Sequence, residues 1–316
     1  MLTLAPKVRM QFVRRIAYTP RMTLSVIVNP AAHGGLAGRR ISKLNARLRN
    51  AGVNAEIHVP QSREHLCRLA VQLGQSADDT LAIVGGDGTN MAIVDALLQH
   101  HGPDPLPTLA LLPAGRGNSL AKDLDFSDLD PAIAALCNGK SRKVDVARFV
   151  SNGMTGHFLN CLGMGFVTEV DRTASHFRRL GDLSYIIGVF HRTLKLRHHQ
   201  FRLDIDGQVI EEQMCFVEIM NSRKTGGEML MAPDACIDDG LLDVVWVSKV
   251  NRRSLLRTFP KIFKGTHGSN PAVHFLRGKK ITITSTDHKI LLPDGDQLGS
   301  TPVTIDVLPR RVRYLY

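Results

Sequence analysis

Residues 84–89 read Val-Gly-Gly-Asp-Gly-Thr and follow directly on the apolar run Leu81-Ala82-Ile83-Val84. An apolar-periodic stretch from Met91 to Leu98 comes next, so the local order is strand, glycine turn, helix. Glycines lack a Cβ and let the backbone come within hydrogen-bonding distance of a ligand. The amides that open the following helix then suit phosphate oxygens. Asp87 separates this loop from a generic phosphate cradle. A carboxylate among phosphates repels them unless it holds Mg²⁺ or takes a proton from an attacking hydroxyl. The chemistry indicated is phosphoryl transfer. The plainer alternative is a tight turn in which Asp87 caps its helix.

Two further loops of the same kind tip that balance. Leu109-Ala110-Leu111-Leu112 is a strand candidate, and Pro113-Ala114-Gly115-Arg116-Gly117-Asn118-Ser119 is a glycine turn entering a helix. Upstream, Ser25-Val26-Ile27-Val28 runs into Asn29-Pro30-Ala31-Ala32-His33-Gly34-Gly35. Three parallel strands ending in Gly or Asn turns put three loops on one sheet edge, where open α/β sheets bind ligands. Neither glycine loop has the lysine ending of common nucleotide hydrolases or the dinucleotide GxGxxG pattern.

The series Asn29-Pro30, Gly85-Gly86-Asp87-Gly88-Thr89 and Pro113-Ala114-Gly115-x-Gly117-Asn118 resembles the catalytic domain of diacylglycerol and sphingosine kinases. The resemblance continues through Gly163-Met164-Gly165-Phe166, Ala232-Pro233-Asp234-Ala235, Asp239-Gly240-Leu241-Leu242-Asp243 and Asp294-Gly295-Asp296, covering about residues 22–316. Glu169-Val170-Asp171 and Phe177-Arg178-Arg179-Leu180-Gly181-Asp182 lean toward the sphingosine kinase branch. The resemblance implies Asp171 as a head-group ligand and Arg178 as a triphosphate ligand. Three departures bear on nucleotide contacts and substrate identity. Ala92 stands where the family has Glu, Asp296 ends a motif usually written Asp-Gly-Glu, and Ser184 replaces a second basic residue.

The resemblance also implies a layout. ATP would lie across the strand ends before Asn29, Gly85 and Pro113, between two domains. Amides of Gly86, Gly88, Gly115 and Gly117 would meet phosphates, with Thr89 and Gly295 nearby. Asn29 and Asn118 would supply side-chain contacts to the nucleotide, and Arg116 positive charge. Asp294 and Asp296 would neighbour Mg²⁺, Asp87 and Asp296 would be catalytic, and Asp87 would accept the proton of a lipid hydroxyl. The expected acceptor is diacylglycerol or a sphingoid base. A soluble-substrate kinase of the NAD kinase type and a lipid-binding pseudokinase are the alternatives.

Composition is ordinary for a globular chain: 316 residues, 43% hydrophobic and 22% charged. No apolar stretch approaches the ~20 residues of a membrane span, so work on lipid must be done from the surface. The net charge of +11 is concentrated early, with ten Lys and Arg and no acidic residue before Glu56. Such a face attracts an anionic membrane, and the expected location is cytoplasmic and peripheral on its inner face. For Arg39–Arg49 a merely solvated helix surface carries equal weight. Nucleic acid is not expected, because aromatics are only 5% and a carboxylate sits inside the anion loop. A homodimer is left open. The five cysteines lack paired spacing, which fits a reducing compartment.

The expected organisation is α/β plus β. A basic extension (1–21) precedes a Rossmann-like three-layer α/β domain with a parallel sheet (22–144). A mainly antiparallel β-sandwich domain (145–300) follows, then a C-terminal segment (301–316) that can return to the first domain, with the active site in the cleft between them. The pattern predicts helices over Leu36–Ala51, Ser62–Leu73, Asn90–His100, Ser119–Leu124, Asp130–Cys137, Val167–Phe177, Ser184–Lys195 and Arg252–Lys264. Strands are predicted over Val144–Phe149, His157–Cys161, Phe201–Ile205, Gln208–Met220, Leu241–Ser248, Lys280–Ser285, Lys289–Leu292 and Val303–Leu308. Asp206-Gly207 signals a hairpin turn. Asp182–Leu196 is apolar on more than one face and reads equally as a buried helix or a wall for acyl chains.

Overall fold

The computed structural model describes residues 24–30, 32, 41–126, 128–174, 176 and 183–316. Residues 1–21, His33-Gly34-Gly35, Arg39, Arg40 and the Phe177–Asp182 stretch with Arg178 lie outside the described residues, as does the side chain of Ser184.

Strands β1 (Leu24–Val28), β2 (Ala55–His58), β3 (Thr80–Gly85) and β4 (Thr108–Pro113) pair in parallel in the order β4-β3-β1-β2. Their near-continuous apolar runs suit a sheet covered on both faces. The covering helices are α1 (Ile41–Asn50), α2 (Arg63–Leu73), α3 (Asp87–His101), α4 (Ser119–Asp123) and α5 (Leu129–Asn138). Val26, Ile27, Leu81, Ile83, Ile93, Leu97, Leu109 and Leu111 form the core between these layers. Helix α3 begins at Asp87, three residues before the predicted Asn90, because Gly86 is already its N-cap.

The second unit is antiparallel. β5 (Ser141–Ser151), β6 (Met154–Phe158) and β7 (Cys161–Gly165) lead into α6 (Phe166–Ala174) and α7 (Leu183–Thr193). Then come β8 (His199–Ile205), β9 (Gln208–Met220), β10 (Leu242–Ser248), α8 (Arg252–Ile262), β11 (Val273–Gly278), β12 (Lys280–Ser285), β13 (Leu292–Pro293) and β14 (Val303–Leu315). The β8–β9 hairpin turns at Asp206-Gly207, both at positive φ (50° and 90°), as the dipeptide signalled. Phe149, Phe158, Phe201, Val217, Trp246, Ile281 and Ile305 pack one core of this unit. Phe166, Val170, Val189, Phe216, Met229, Phe259 and Ile262 pack another, beneath the helices.

Three predicted strands are corrected. His157–Cys161 is two strands with a corner at Leu159-Asn160, because the amides there turn aside to bind a carboxylate. Of Lys289–Leu292 only Leu292 enters a strand, while Ile290 makes an isolated bridge to Ser300. The last strand runs to Leu315 rather than Leu308. After a bulge between Leu308 and Val312 it continues along β5 and pairs in parallel with β4, Tyr314 opposite Leu109. Strands β2 and β11 had no counterpart in the prediction.

Candidate active site

The two glycine loops meet backbone to backbone. A Cβ on Gly115 would lie 2.4 Å from the Gly86 Cα, and one on Gly86 would lie 2.8 Å from the Gly115 Cα. Only glycine fits either position. Asn118, at φ 50°, closes the second loop. Its Oδ1 accepts from the Gly115 amide (2.9 Å) and its Nδ2 donates to the Gly115 carbonyl (3.0 Å). The side chain thus shapes the loop. Asn29 Nδ2 donates to Thr89 Oγ1 (2.8 Å), which ties the first loop to the start of α3.

Asp87 does not cap its own helix. It occupies the first turn of α3 and reaches across to α4, where its carboxylate accepts from the amides of Ser119 (3.1 Å) and Leu120 (3.4 Å). Burial raises its pKa, and the two amides oppose that rise. A Cβ at Gly117 would come within 2.9 Å of Oδ2, so glycine there keeps the carboxylate approachable.

Two openings flank this carboxylate. A pocket of about 440 Å³ is lined by Asn29, Ser62, Arg63, Gly88, Thr89 and Ala92, among others. Ala92 leaves that wall small and uncharged where the family pattern has Glu. On the other side a cleft of about 680 Å³ runs between the two units. Asp87, Arg116, Gly117, Asp171, Asp294 and Gly295 all line it. The structure therefore brings these predicted residues together.

Asp294 is half-buried and sits at φ 45°, which Asp tolerates better than most residues. Its carboxylate accepts from the amides of Leu159, Asn160 and Cys161, each at 2.9 Å. Burial lifts its pKa to about 6, with the Asp87 charge adding to the rise and the three amides opposing it. Asp296 stands apart from the cleft lining. It pairs with Arg63 at 2.7 Å, linking the β13 turn to the rim of the nucleotide-side pocket.

Two features of the cleft escaped the sequence analysis. Gly226-Gly227-Glu228 forms one wall, held to α4 by Lys122, whose Nζ donates to the Gly227 carbonyl (2.9 Å) and to Glu228 (2.5 Å). A glycine pair shortly after a long strand was the available signal. Glu218, near the end of β9, also lines the cleft, and burial pushes it up to about 7. It is the one acidic residue in the otherwise apolar run Met214–Met220.

A cleft of this kind, with a half-buried carboxylate under paired glycine loops and a β-sandwich opposite, defines a two-domain phosphotransferase that uses an alcohol as acceptor. The chain belongs to the diacylglycerol kinase family. Residues 23–149 match the diacylglycerol kinase catalytic domain, and residues 160–316 match the YegS C-terminal NAD kinase beta sandwich-like domain. The diacylglycerol kinase of Mycobacterium tuberculosis is 30% identical over 300 residues, spanning 92% of this chain and 94% of that protein. That of Bacillus subtilis is 23% identical over 281 residues, spanning 88% and 90%. A diacylglycerol kinase crystal structure from Bacillus anthracis shares the fold at a TM-score of 0.71 and 22% identity, over 93% of this chain and 96% of that one. The chain is thus a kinase of the lipid kinase type, and that membership implies ATP as phosphoryl donor.

Proposed function

We propose that this chain transfers the γ-phosphate of ATP to a hydroxyl of a membrane lipid, either diacylglycerol or a sphingoid base. The observation that carries this reading is an apolar pocket continuous with the catalytic cleft. It shares Val167, Tyr185 and Met229 with the cleft and runs on between Phe166, Val189, Phe216, Met231, Phe259 and Ile262. A sugar or nucleoside acceptor has no use for such a wall. Its free volume is about 40 Å³, so an acyl chain would enter by displacing side chains, and Met229 and Met231 are the adaptable ones.

In this reading the nucleotide enters beside Asn29 and Thr89, and its phosphates meet the amides of Gly86, Gly88, Gly115 and Gly117. Arg116 supplies positive charge at the rim, and Arg178 is assigned the same task. Asp87 accepts the proton of the lipid hydroxyl, while Asp171 on α6 orders the head group. Mg²⁺ would neutralise phosphate charge. Among the described residues no three carboxylate, His or Cys ligands cluster. Magnesium held mainly by phosphates and water needs only one or two protein carboxylates. Asp294 fits such a role with the lone pair its three amides leave, and Gly295 flanks it. Asp296 would join only by exchanging Arg63 for the metal.

Among the described residues no helix is long and apolar enough to cross a membrane. Contact with a bilayer is therefore assigned to a surface. Phe190 (54%) on α7, Leu194 (66%) just after it and Phe263 (43%) just after α8 are exposed, and Phe263 also lines the cleft. Residues 244–286 carry nine Lys and Arg and no acidic residue. Arg252, Arg253, Arg257, Lys261 and Lys264 are exposed there. Apolar side chains ringed by cations at the mouth of a lipid cleft suit an anionic leaflet.

The deciding experiment is an ATP transfer assay against diacylglycerol, sphingoid bases and soluble alcohols in mixed micelles. Phosphorylation of a lipid but not of the soluble acceptors is expected. Transfer to soluble acceptors alone would overturn the reading, and failure to bind Mg-ATP would leave a lipid-binding pseudokinase.

A further inference from the structure

Strand β9 has two apolar faces. Val217 and Ile219 point into the sandwich core, and Phe216 and Met220 point toward the helices. By the two-residue period of a strand, Glu218 shares the helix-side face with Phe216 and Met220. It is 3% exposed, and its Oε2 has no hydrogen-bond partner. The residue opposite it on β7 is Gly163, where a Cβ would stand 2.7 Å from the Val167 side chain and 3.9 Å from the Glu218 carboxyl carbon, and Gly163, Val167 and Glu218 all line the cleft. Asn160 lines the same cleft and is also 3% exposed. Its backbone amide serves Asp294 and its carbonyl accepts from Asn221 and Ser222, yet neither Oδ1 nor Nδ2 of its side chain has a partner.

Buried polar atoms without partners are costly and rare, so three of them lining one cleft call for a ligand. The chemistry on offer is a carboxyl oxygen, an amide oxygen and an amide N–H. Together they satisfy a hydroxyl in both directions, and the two oxygens accept from an ammonium. Asp87 already accounts for the hydroxyl that is phosphorylated. Asp294 links the two positions, since it feels the Asp87 charge and is held by the amides of Asn160 and Cys161.

We propose that Glu218 and Asn160 form a second polar subsite that receives a further donor group of the acceptor. The cleft then selects lipids with two donors close together, a vicinal diol or amino alcohol, over lipids with a single free hydroxyl. The proposal rests on the lipid kinase reading and names its acceptor class. Glu218 is a specificity residue here, since proton removal stays with Asp87. Around the subsite stand Cys161 on β7, Asp171 on α6, Tyr185 on α7 and Thr225 after β9. Burial and the neighbouring Glu218 and Asp171 charges push Tyr185 far up, so it remains a neutral hydroxyl.

The test compares kcat and KM for a monoacylglycerol, which carries a vicinal diol, with those for the diacylglycerol of the same acyl chain. A long-chain amino alcohol forms a third arm. The wild type should show a lower KM for the two-donor lipids. Glu218→Gln and Asn160→Ala should each raise that KM about tenfold more than the KM for diacylglycerol, with the smaller effect in kcat. Melting curves identify variants that are merely unstable, and the two substitutions, one in β9 and one at the corner between β6 and β7, check each other. Equal KM changes for all acceptors, or a wild type that prefers diacylglycerol, would overturn the proposal and leave the lipid kinase reading standing. A wild type that phosphorylates none of the lipids would remove both.

Discussion

Glu218 should make the folded chain less stable as pH rises, and Glu218→Gln should remove that dependence. Burial raises this carboxyl from the ordinary 4.5 to about 7, with Thr225 and Cys161 pulling the other way. Between those values the folded chain holds a proton that the unfolded chain has released. The favourable contribution is complete below about pH 4.5 and is lost as pH climbs through about 7. A shift of about 2.5 units corresponds to roughly 3 kcal/mol. Asp294, raised from 3.8 to about 6, acts in the same direction, so the wild-type profile contains more than Glu218. The difference between wild type and variant isolates it. Thermal melts in a buffer series should give matching stabilities at about pH 4.5 and a gap that opens toward about pH 8 in favour of Gln. At roughly 2–4 °C per kcal/mol, the melting point should differ by several degrees at the alkaline end. A gap that is constant with pH, or that widens toward acid, would refute the placement of an ionisable group in that environment.

Asp87→Asn keeps the side-chain shape but cannot take a proton. Turnover should fall by about 10²–10⁴ with ATP affinity and melting point nearly retained, and turnover within a few fold of wild type would rule out the base role. Asp294→Ala leaves the amides of Leu159, Asn160 and Cys161 without their acceptor and should cost at least about 3 kcal/mol, read by denaturant unfolding. Replacing Arg252, Arg253 and Arg257 with Glu should weaken vesicle binding by about 1 kcal/mol or more per residue at low salt, and equal binding to neutral and anionic vesicles by the wild type would count against that face. Asp171→Ala should raise the apparent KM for lipid more than that for ATP, and a lower melting point with unchanged lipid kinetics would make Asp171 structural.

What the sequence disclosed was mostly local. Strand, glycine turn and helix succeed one another within a dozen residues, so the loops at Gly86 and Gly115 could be read directly, as could the Asp206-Gly207 hairpin and the span Gln208–Met220. That the two glycine loops touch, and that Asp87 reaches α4 rather than its own helix, depends on contacts some thirty residues apart that no periodicity encodes. The corner at Leu159-Asn160 was hidden for the same reason. Its cause, Asp294, lies more than 130 residues downstream. Strand β11 reads Val-His-Phe-Leu-Arg-Gly, whose mixed polarity suits a strand at the sheet edge and blurs the alternation. Glu218 was visible as a lone acid in an apolar strand, but only its unpartnered oxygen in the cleft it shares with Asn160 gives that acid a purpose.

Strand β14 has a consequence for the order in which the chain can fold. Val312 and Tyr314 are buried in the core of the α/β unit, and the Tyr314 hydroxyl donates to Asn90 at 2.9 Å. The α/β unit formed by the first half of the chain thus lacks part of its interior until residues near 314 have left the ribosome. During synthesis it must wait, open along β4, while the intervening sandwich is made and packed. Pairings between residues this far apart are slow to form, because a long loop must close before any contact rewards it. An exposed β4 edge is also an invitation to aggregate in the meantime. The nucleotide-binding loops and the lipid-binding cleft should therefore mature together, in one late step. No half of the kinase is competent ahead of the other.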